Sequence, residues 1–128
     1  MRFDWGRYLT LAQELVDLSP KHANKEALLR CAISRSYYAA FCKTRNYLRD
    51  IEKDENLNSS PSAYQLVIDR FRYSDNTTRQ EIGDLLIRLR KIRNVADYQD
   101  RFYDLEATAL QSLNYSEEVI DYLNTLRF

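Results

Sequence analysis

The sequence predicts an all-α protein, an up-down bundle of four long helices with one additional short helix, folded as a single domain over residues 1–128. Apolar residues recur at helical spacing through most of the chain, and no stretch alternates as a strand would. The 128 residues include only two glycines and two prolines, which is little turn material for many short strands. The connecting segments are short, as expected between antiparallel neighbours.

The first two helices differ in how they use their apolar residues. The first is predicted from Asp4 to Leu18, with its apolar residues on one side, and Ser19-Pro20 then supplies a turn or an N-cap. The second, from Asn24 to Asp50, is apolar around nearly its whole circumference in the middle. Such a helix is buried on several sides, either as the centre of the bundle or against a second subunit.

Three further helices follow. Ser60-Pro61 is predicted to start a short third helix that ends near Tyr73. The fourth begins with a capping box, for which the sequence offers either Thr77-x-x-Gln80 or Thr78-x-x-Glu81, and it ends near Ala96. The fifth is predicted from Leu105 to Leu126, where apolar residues form a continuous stripe.

Cysteine and histidine usage predicts a chain without metal or cofactor. Cys31 and Cys42 lie eleven residues apart on one helix, beyond disulfide reach, and are expected as reduced thiols packed in the core. Two cysteines without a CxxC pair, and the single His22, which we expect to be solvated, do not make a metal site. No secretory segment or membrane-length apolar run is present, so a cytoplasmic location is expected.

Charge is balanced overall but unevenly distributed. The net charge is zero, yet residues 21–49 and 70–93 each carry seven basic side chains against few acids. If these segments are neighbours in space, they form a positive face that includes Arg30, Arg35 and Arg90. Such a face suits phosphate, although the acidic fifth helix of this chain or of a partner is an equally good counterpart.

Arg93 occupies a position of the fourth helix where the pattern predicts a leucine. The apolar stripe there consists of Ile82, Leu85, Leu86, Leu89, Ile92 and Ala96, and Arg93 follows Leu89 by four residues. A charge on a packed face is costly unless it is paired or faces a groove. Arg93 is therefore either a snorkelling side chain paired with Asp97 or part of a functional site.

The polar side chains around Arg93 suit a phosphodiester. The group comprises Arg93, Asn94, Asp97 and Tyr98, with Arg30, Ser34 and Arg35 of the second helix as candidate neighbours. Guanidinium groups grip phosphate bidentately, and asparagine and serine orient its oxygens. No histidine lies close in sequence to act as a general base.

Two segments resemble the signatures of HEPN domains (higher eukaryotes and prokaryotes nucleotide-binding). Ser34-Arg35-Ser36-Tyr37-Tyr38-Ala39-Ala40-Phe41 is similar to the family's Ser-Arg-x-Tyr-Tyr-Ala-x-Phe signature, and Leu89 to Tyr98 is similar to its second signature. The order, the spacing and the total length also fit, so the resemblance covers almost the whole chain.

The resemblance implies a prokaryotic toxin- or defence-associated module that binds RNA or nucleotide. It implies a homodimer formed through the faces that carry both signatures, and a nucleotidyltransferase-type partner. Many members are metal-independent ribonucleases, whose signature is an arginine, a polar residue, a histidine and often a tyrosine. Carried over, Arg93, Asn94 and Tyr98 match three of these positions, but Ala96-Asp97-Tyr98 stands where the histidine is expected.

Three interpretations follow from the sequence. In the first, the chain binds RNA or nucleotide without cleaving it, using Arg30, Ser34, Arg35, Arg90 and Arg93. In the second, it is an endoribonuclease that works without histidine, with Arg93 stabilising the phosphate and Asp97 or Tyr98 in acid–base roles. In the third, it is a structural module in which Arg93 pairs with Asp97 or with an acid across a dimer.

Overall fold

A computed structural model describes residues 2–57 and 63–127, and within them the chain forms five α-helices and no strand. These helices are α1 (Arg7–Leu18), α2 (Lys25–Asp50), α3 (Ala63–Arg72), α4 (Thr77–Tyr98) and α5 (Leu105–Leu126). Short 3-10 turns lie at Ser19–Lys21 and Glu55–Leu57. The predicted helical bundle with a short extra helix is confirmed.

The helix at the centre of the bundle is α2, which packs against α1, α4 and α5. Its neighbour α1 is antiparallel, because Arg2 before α1 pairs with Asp50 at the end of α2. The direction of α5 is parallel to α2, since Lys25 pairs with Glu106 near the starts of both helices. The sequence left open what covers the apolar middle of α2. In the structure, α1, α4 and α5 cover much of it.

The short helix α3 packs beside the second half of α2 and forms a hairpin with α4. Tyr64 lies against Phe41, with ring centroids 6.0 Å apart, and Phe71 lies against Tyr47 at 6.2 Å, so α3 and α2 run in the same direction. The hairpin is close at buried Gly83, where a Cβ atom would lie 3.1 Å from the backbone nitrogen of Arg72. The predicted start of this helix at Ser60-Pro61 lies outside the described residues.

Two predicted helix ends differ from the structure for local reasons. The first helix begins at Arg7, because the carboxylate of Asp4 accepts the Gly6 N–H at 2.9 Å and holds residues 4–6 in a turn. The fourth helix continues two residues beyond Ala96 to Tyr98.

The predicted capping boxes at Thr77 and Thr78 are wrong, because the cap is one residue earlier. The N-cap is Asn76, whose Oδ1 accepts the Arg79 N–H at 2.9 Å. Both threonines consequently lie inside the first turn of α4. Asparagine is among the preferred N-cap residues, so the loop sequence contained a signal for the cap at Asn76.

The two cysteines have different environments. Cys42 is buried, as predicted, whereas Cys31 is exposed, which corrects the expectation that both pack in the core. The buried positions around Cys31 are those of Leu29, Ala32 and Ile33. Cys31 itself lies on the solvent-facing side of α2. His22 is exposed, as expected, and its Nδ1 accepts the Asn24 N–H at 2.9 Å. Within the described residues, no helix is long and apolar enough to cross a membrane.

Candidate functional site

Arg93 extends from α4 onto the twin tyrosines of α2. The carbon at the centre of its guanidinium group lies 5.1 Å from the ring centroid of Tyr37 and 5.5 Å from that of Tyr38. Only 12% of the side chain is exposed. The antiparallel packing of α2 and α4 thus brings the two sequence signatures together, with the arginine of one on the aromatic rings of the other.

The charge of Arg93 is only weakly neutralised. Its Nη1 lies 3.5 Å from Oδ2 of Asp97, at the outer limit of a hydrogen bond. Its Nε is buried and has no hydrogen-bond partner in the described part of the chain. Two aromatic rings lie near the guanidinium group, and neither removes its positive charge, so the group still attracts an anion.

A second arginine, Arg90, also lies near Tyr37. The guanidinium carbon of Arg90 is 3.6 Å from the ring centroid of Tyr64 on α3, and its Nε is also buried without a partner among the described residues. Burial raises the pKa of Tyr37, and the nearby charges of Arg90 and Arg93 only partly oppose that shift. Tyr37 therefore remains a neutral phenol between two cations and cannot serve as their counterion.

Arg35 joins this group through a shared ring. Its guanidinium carbon lies 5.2 Å from the ring centroid of Tyr38, which Arg93 also approaches, and 4.7 Å from that of Tyr8 on α1. Its Nη2 donates to Oγ of buried Ser34 at 3.3 Å. Among the described residues, no carboxylate lies within ion-pair distance of Arg35 or Arg90.

Arg30 lies apart from this group, at the end of α4. Its Nη1 donates to the carbonyl oxygens of Ala96 and Gln99 at 2.9 and 2.6 Å, and its Nη2 donates to that of Asp100 at 3.0 Å. Glu26 pairs with it at 3.6 Å. The sequence grouped Arg30 with Ser34 and Arg35, but in the structure its donors hold the carbonyls that end the helix, and not the surface around Arg93.

The other candidates on α4 lie on its outer side. Asn94 is exposed, and the side chain of Asp97 is 28% exposed. Tyr98 is the last residue of the helix and is 76% exposed. Arg93 is thus the inward member of the set, while the other three present polar atoms to solvent around it.

The two basic segments are neighbours, but much of their charge is paired. Ion pairs join Lys25 to Glu106, Lys43 to Asp4, Arg70 to Asp54 and Arg79 to Glu52. Within the described residues, seven basic side chains of these segments have no such partner: Lys21, Arg35, Arg45, Arg72, Arg88, Arg90 and Lys91. The positive face is therefore narrower than the sequence suggests, and the acidic α5 contacts it through Glu106.

Sequence reasoning did not identify the aromatic rings that hold the arginines. These rings are those of Tyr8, Tyr38 and Tyr64, each of which is half-buried and lies under a guanidinium group. The available signal was the spacing of Arg35, Tyr38 and Arg45, which share one stripe of α2. The contacts from α1 and α3 had no signal in the local sequence.

No cluster of metal-binding side chains, and no histidine, lies beside Arg93 in the described part of the chain. Across residues 2–57 and 63–127, no three His, Cys, Asp or Glu side chains come together as metal ligands. His22 precedes α2, and the helix rises roughly 18 Å from Lys25 to Tyr37. The histidine therefore lies far from the guanidinium group of Arg93.

The bundle and its paired signatures define a class of protein, and comparison with known families agrees. The model of the HEPN domain matches residues 9–126. The chain belongs to the HEPN family, a family of nucleotide- and RNA-binding modules.

The sequence comparison also gives one relative of unknown activity. The chain is 35% identical over 110 residues to an uncharacterized protein of Methanocaldococcus jannaschii, in an alignment that covers 75% of this chain and 60% of the relative. The chain thus spans about 60% of the length of that relative. No solved structure matches the chain.

Proposed function

We propose that the chain binds RNA or nucleotide through the face of α2 and α4 around Arg93. The observation that supports the proposal is that Arg93 and Arg90 both lie near Tyr37. Among the described residues, Asp97 at 3.5 Å from Arg93 is the one carboxylate in an ion pair with either arginine. Each guanidinium lies over an aromatic ring, and its buried Nε has no hydrogen-bond partner in the part of the chain that the structure describes. Phosphate oxygens supply the missing negative charge.

A binding titration with Arg93→Ala tests this site. We expect the affinity for a single-stranded RNA, measured by fluorescence anisotropy at low salt, to fall by roughly tenfold or more, the scale of one charge-assisted hydrogen bond. Arg88→Ala is the matched control. Among the described residues Arg88 has no ion-pair partner, and it too lies over a tyrosine, Tyr115, at 5.9 Å, but it is on the opposite side of α4.

Two results would decide against the assignment. Equal RNA affinities of wild type and Arg93→Ala would show that the binding site is not on this face. Equal losses in Arg93→Ala and Arg88→Ala would show that only net charge matters. Melting curves of both variants identify any loss that comes from unfolding.

Cleavage of bound RNA is the second candidate, and the position of Asp97 beside Arg93 favours it. Asp97 would act in the acid–base role that the family assigns to histidine, with Arg93 stabilising the phosphate. Purified protein that leaves single-stranded RNA intact, alone and with a partner, counts against this function. Growth arrest on expression that Arg93→Ala relieves supports it.

Family membership also leads us to propose an assembly. The chain would form a homodimer through the α2–α4 face and act in the cytoplasm with a nucleotidyltransferase-type partner, as part of a toxin–antitoxin or defence system. The mass of the purified protein in solution and the identity of what co-purifies with it test both parts. A monomer without a partner at micromolar concentration would contradict them.

A further inference from the structure

We infer that the ligand of this face is single-stranded RNA, and that its binding surface extends beyond Arg93 along α2 to the N-terminal aromatic residues. This inference rests on the proposed function and deepens it. The extension consists of Arg35, Tyr38, Tyr8, Trp5 and Arg45, which we call the arginine–aromatic track. Arg93 joins the track at Tyr38.

The track is continuous because each member contacts the next. The guanidinium of Arg35 lies between the rings of Tyr38 and Tyr8, at 5.2 and 4.7 Å. The rings of Tyr8 and Trp5 meet edge to face at 5.4 Å, and the guanidinium of Arg45 lies 5.5 Å from the ring centroid of Trp5. Cations and aromatic rings therefore run side by side from α4 across α2 to α1.

No carboxylate among the described residues forms an ion pair with the two arginines of the track. Arg45 donates to the amide oxygen of Asn46 at 3.1 and 3.2 Å, and Arg35 donates to Ser34 at 3.3 Å, so both have neutral partners. The carboxylate beside Trp5, that of Asp4, is paired with Lys43 at 3.0 Å, and that of Asp50, five residues after Arg45, is paired with Arg2 and Arg49. The charges of Arg35 and Arg45 are therefore available to a polyanion.

Stacking platforms beside unpaired arginines are the chemistry of single-strand recognition. Bases of a single strand stack on aromatic rings and on guanidinium planes, while phosphates meet the edges of the guanidinium groups. Exposed Phe3 adds a ring at the end of the track, with its centroid 4.9 Å from that of Trp5. A mononucleotide would use only one position of such a surface.

The length of the track supports an oligonucleotide. From Arg35 to Arg45 the helix rises about 15 Å, which accommodates about four stacked nucleotides at ~3.4 Å each. The two arginines are on the same side of α2, because a separation of ten residues places them about 80° apart around the helix axis.

The test compares uridine monophosphate with oligouridylates of increasing length, titrated against wild type, Arg45→Gln, Phe3→Ala and Arg93→Ala. We expect affinity to rise with length until the track is filled. Arg45→Gln should weaken the longer oligonucleotides by roughly tenfold and leave the mononucleotide unchanged. It should also reduce the slope of log affinity against log salt by about 0.7, the value for one phosphate contact on a single strand.

Phe3→Ala separates stacking from charge. It should weaken the longer oligonucleotides by about fivefold or more without changing the salt slope, because stacking releases no counterion. Arg88→Gln is the control, since it removes the same charge from an arginine that also lies over a tyrosine. Arg35→Lys provides a further variant that keeps charge but loses the planar contact with two rings.

The outcomes distinguish this inference from the proposed function. If Arg93→Ala weakens binding but affinity is independent of length and of Arg45 and Phe3, the track is wrong and the Arg93 site stands. If Arg93→Ala has no effect while Arg45→Gln does, the Arg93 site is wrong and the track stands. If Arg45→Gln changes the mass of the protein in solution and not its RNA affinity, the track is an interface between two copies, which overturns the inference.

Discussion

Aromatic contact holds Arg93 at the edge of the core more than its ion pair does. A guanidinium over an aromatic ring contributes about 0.5–2 kcal/mol depending on its desolvation, and Arg93 approaches two rings. A partly exposed pair at helical i,i+4 spacing contributes about 0.3–0.5 kcal/mol, and the 3.5 Å separation from Asp97 is long. Asp97 consequently competes with an external anion more than it stabilises the fold.

Asp97→Asn separates the three interpretations of Arg93. We expect the free energy of unfolding to fall by less than about 1 kcal/mol. RNA affinity should rise by up to about fivefold, the scale of ~1 kcal/mol between unit charges 4 Å apart in water. Denaturant unfolding and anisotropy titration measure the two effects, with exposed Asp84→Asn on the same helix as control.

Other results would favour the alternatives. A structural role predicts a loss of about 3–5 kcal/mol when Arg93 is removed, with no change in binding, as for a buried pair that loses one partner. A ribonuclease predicts that Asp97→Asn abolishes cleavage while RNA still binds.

The end of α4 depends on a side chain from another helix. The last four carbonyl groups of a helix have no intrahelical partner, and Arg30 of α2 binds the carbonyl of Ala96 together with those of Gln99 and Asp100. A cation at a helix C-terminus also interacts favourably with the helix dipole. Arg30 therefore fixes the segment that presents Asp97 and Tyr98.

Removal of Arg30 should loosen the end of α4. We expect Arg30→Ala to lower the free energy of unfolding by about 2–3 kcal/mol, because hydrogen bonds of a charged donor are lost. Amide exchange at residues 97–103 should accelerate. Arg30→Lys should restore only part of the lost stability, since an ammonium group lacks the planar set of donors of a guanidinium group. Lys25→Ala, which breaks an exposed ion pair with Glu106, should have little effect.

The start of α4 offers a direct test of the corrected cap. Asn76→Ala should cost about 1 kcal/mol, because the Arg79 N–H then loses its acceptor. Thr77→Ala and Thr78→Ala should each change stability by less, since neither residue is the cap. A larger loss of stability in either threonine variant, measured by thermal melting, would support the capping box that the sequence predicts.

At the scale of the whole molecule, close helix approach depends on small residues. Gly83 of α4 lies against the backbone of Arg72, and a Cβ atom there would come within 3.1 Å of its nitrogen and 3.2 Å of its Cα. Around α2, buried Ala32, Ser36, Ala39 and Ala40 similarly leave room for neighbouring helices. The bundle geometry therefore leaves no space for larger side chains at these contacts.

Gly83→Ala should destabilise the protein despite the better helix propensity of alanine. The propensity gain is about 1 kcal/mol, but the added methyl group meets backbone, which moves only with the helix. We expect a net loss of about 1–2 kcal/mol in denaturant unfolding. Gly6→Ala is the control, because its added methyl group meets the flexible side chains of Asp4 and Lys43. Equal effects at the two glycines would contradict the tight α3–α4 contact.

The loop after α2 is tied to α3 by a carboxylate whose pKa is lowered. The Arg70 side chain donates to Asp54 at 2.8 Å, and the Asn56 N–H donates at 3.1 Å. The hydrogen bond from Arg70 is the main cause that holds the pKa of Asp54 below its ordinary 3.8. The folded state thus binds fewer protons than the unfolded state, so the contribution is present above pH 3.8 and is lost as the pH falls through the lowered value.

Asp54→Asn should consequently show a pH-dependent effect on melting temperature. At pH 7 the variant should melt below wild type, and the difference should shrink as the pH falls below 3.8, where the wild-type carboxyl gains its proton. Asp75→Asn in an exposed loop is the control. A difference that stays constant down to low pH would show that Asp54 acts by packing and not through its charge.

The sequence by itself determined the helices, their order and the position of Arg93 at a packed face, because helical periodicity is a local signal. It also supplied both signatures, since each lies within one helix. Only the tertiary structure decided which rings hold each guanidinium, that Arg30 ends α4, and that Cys31 faces solvent. Those outcomes depend on side chains from helices that are distant in sequence. Packing of the whole bundle sets how these helices approach one another, and the local sequence pattern does not predict that approach.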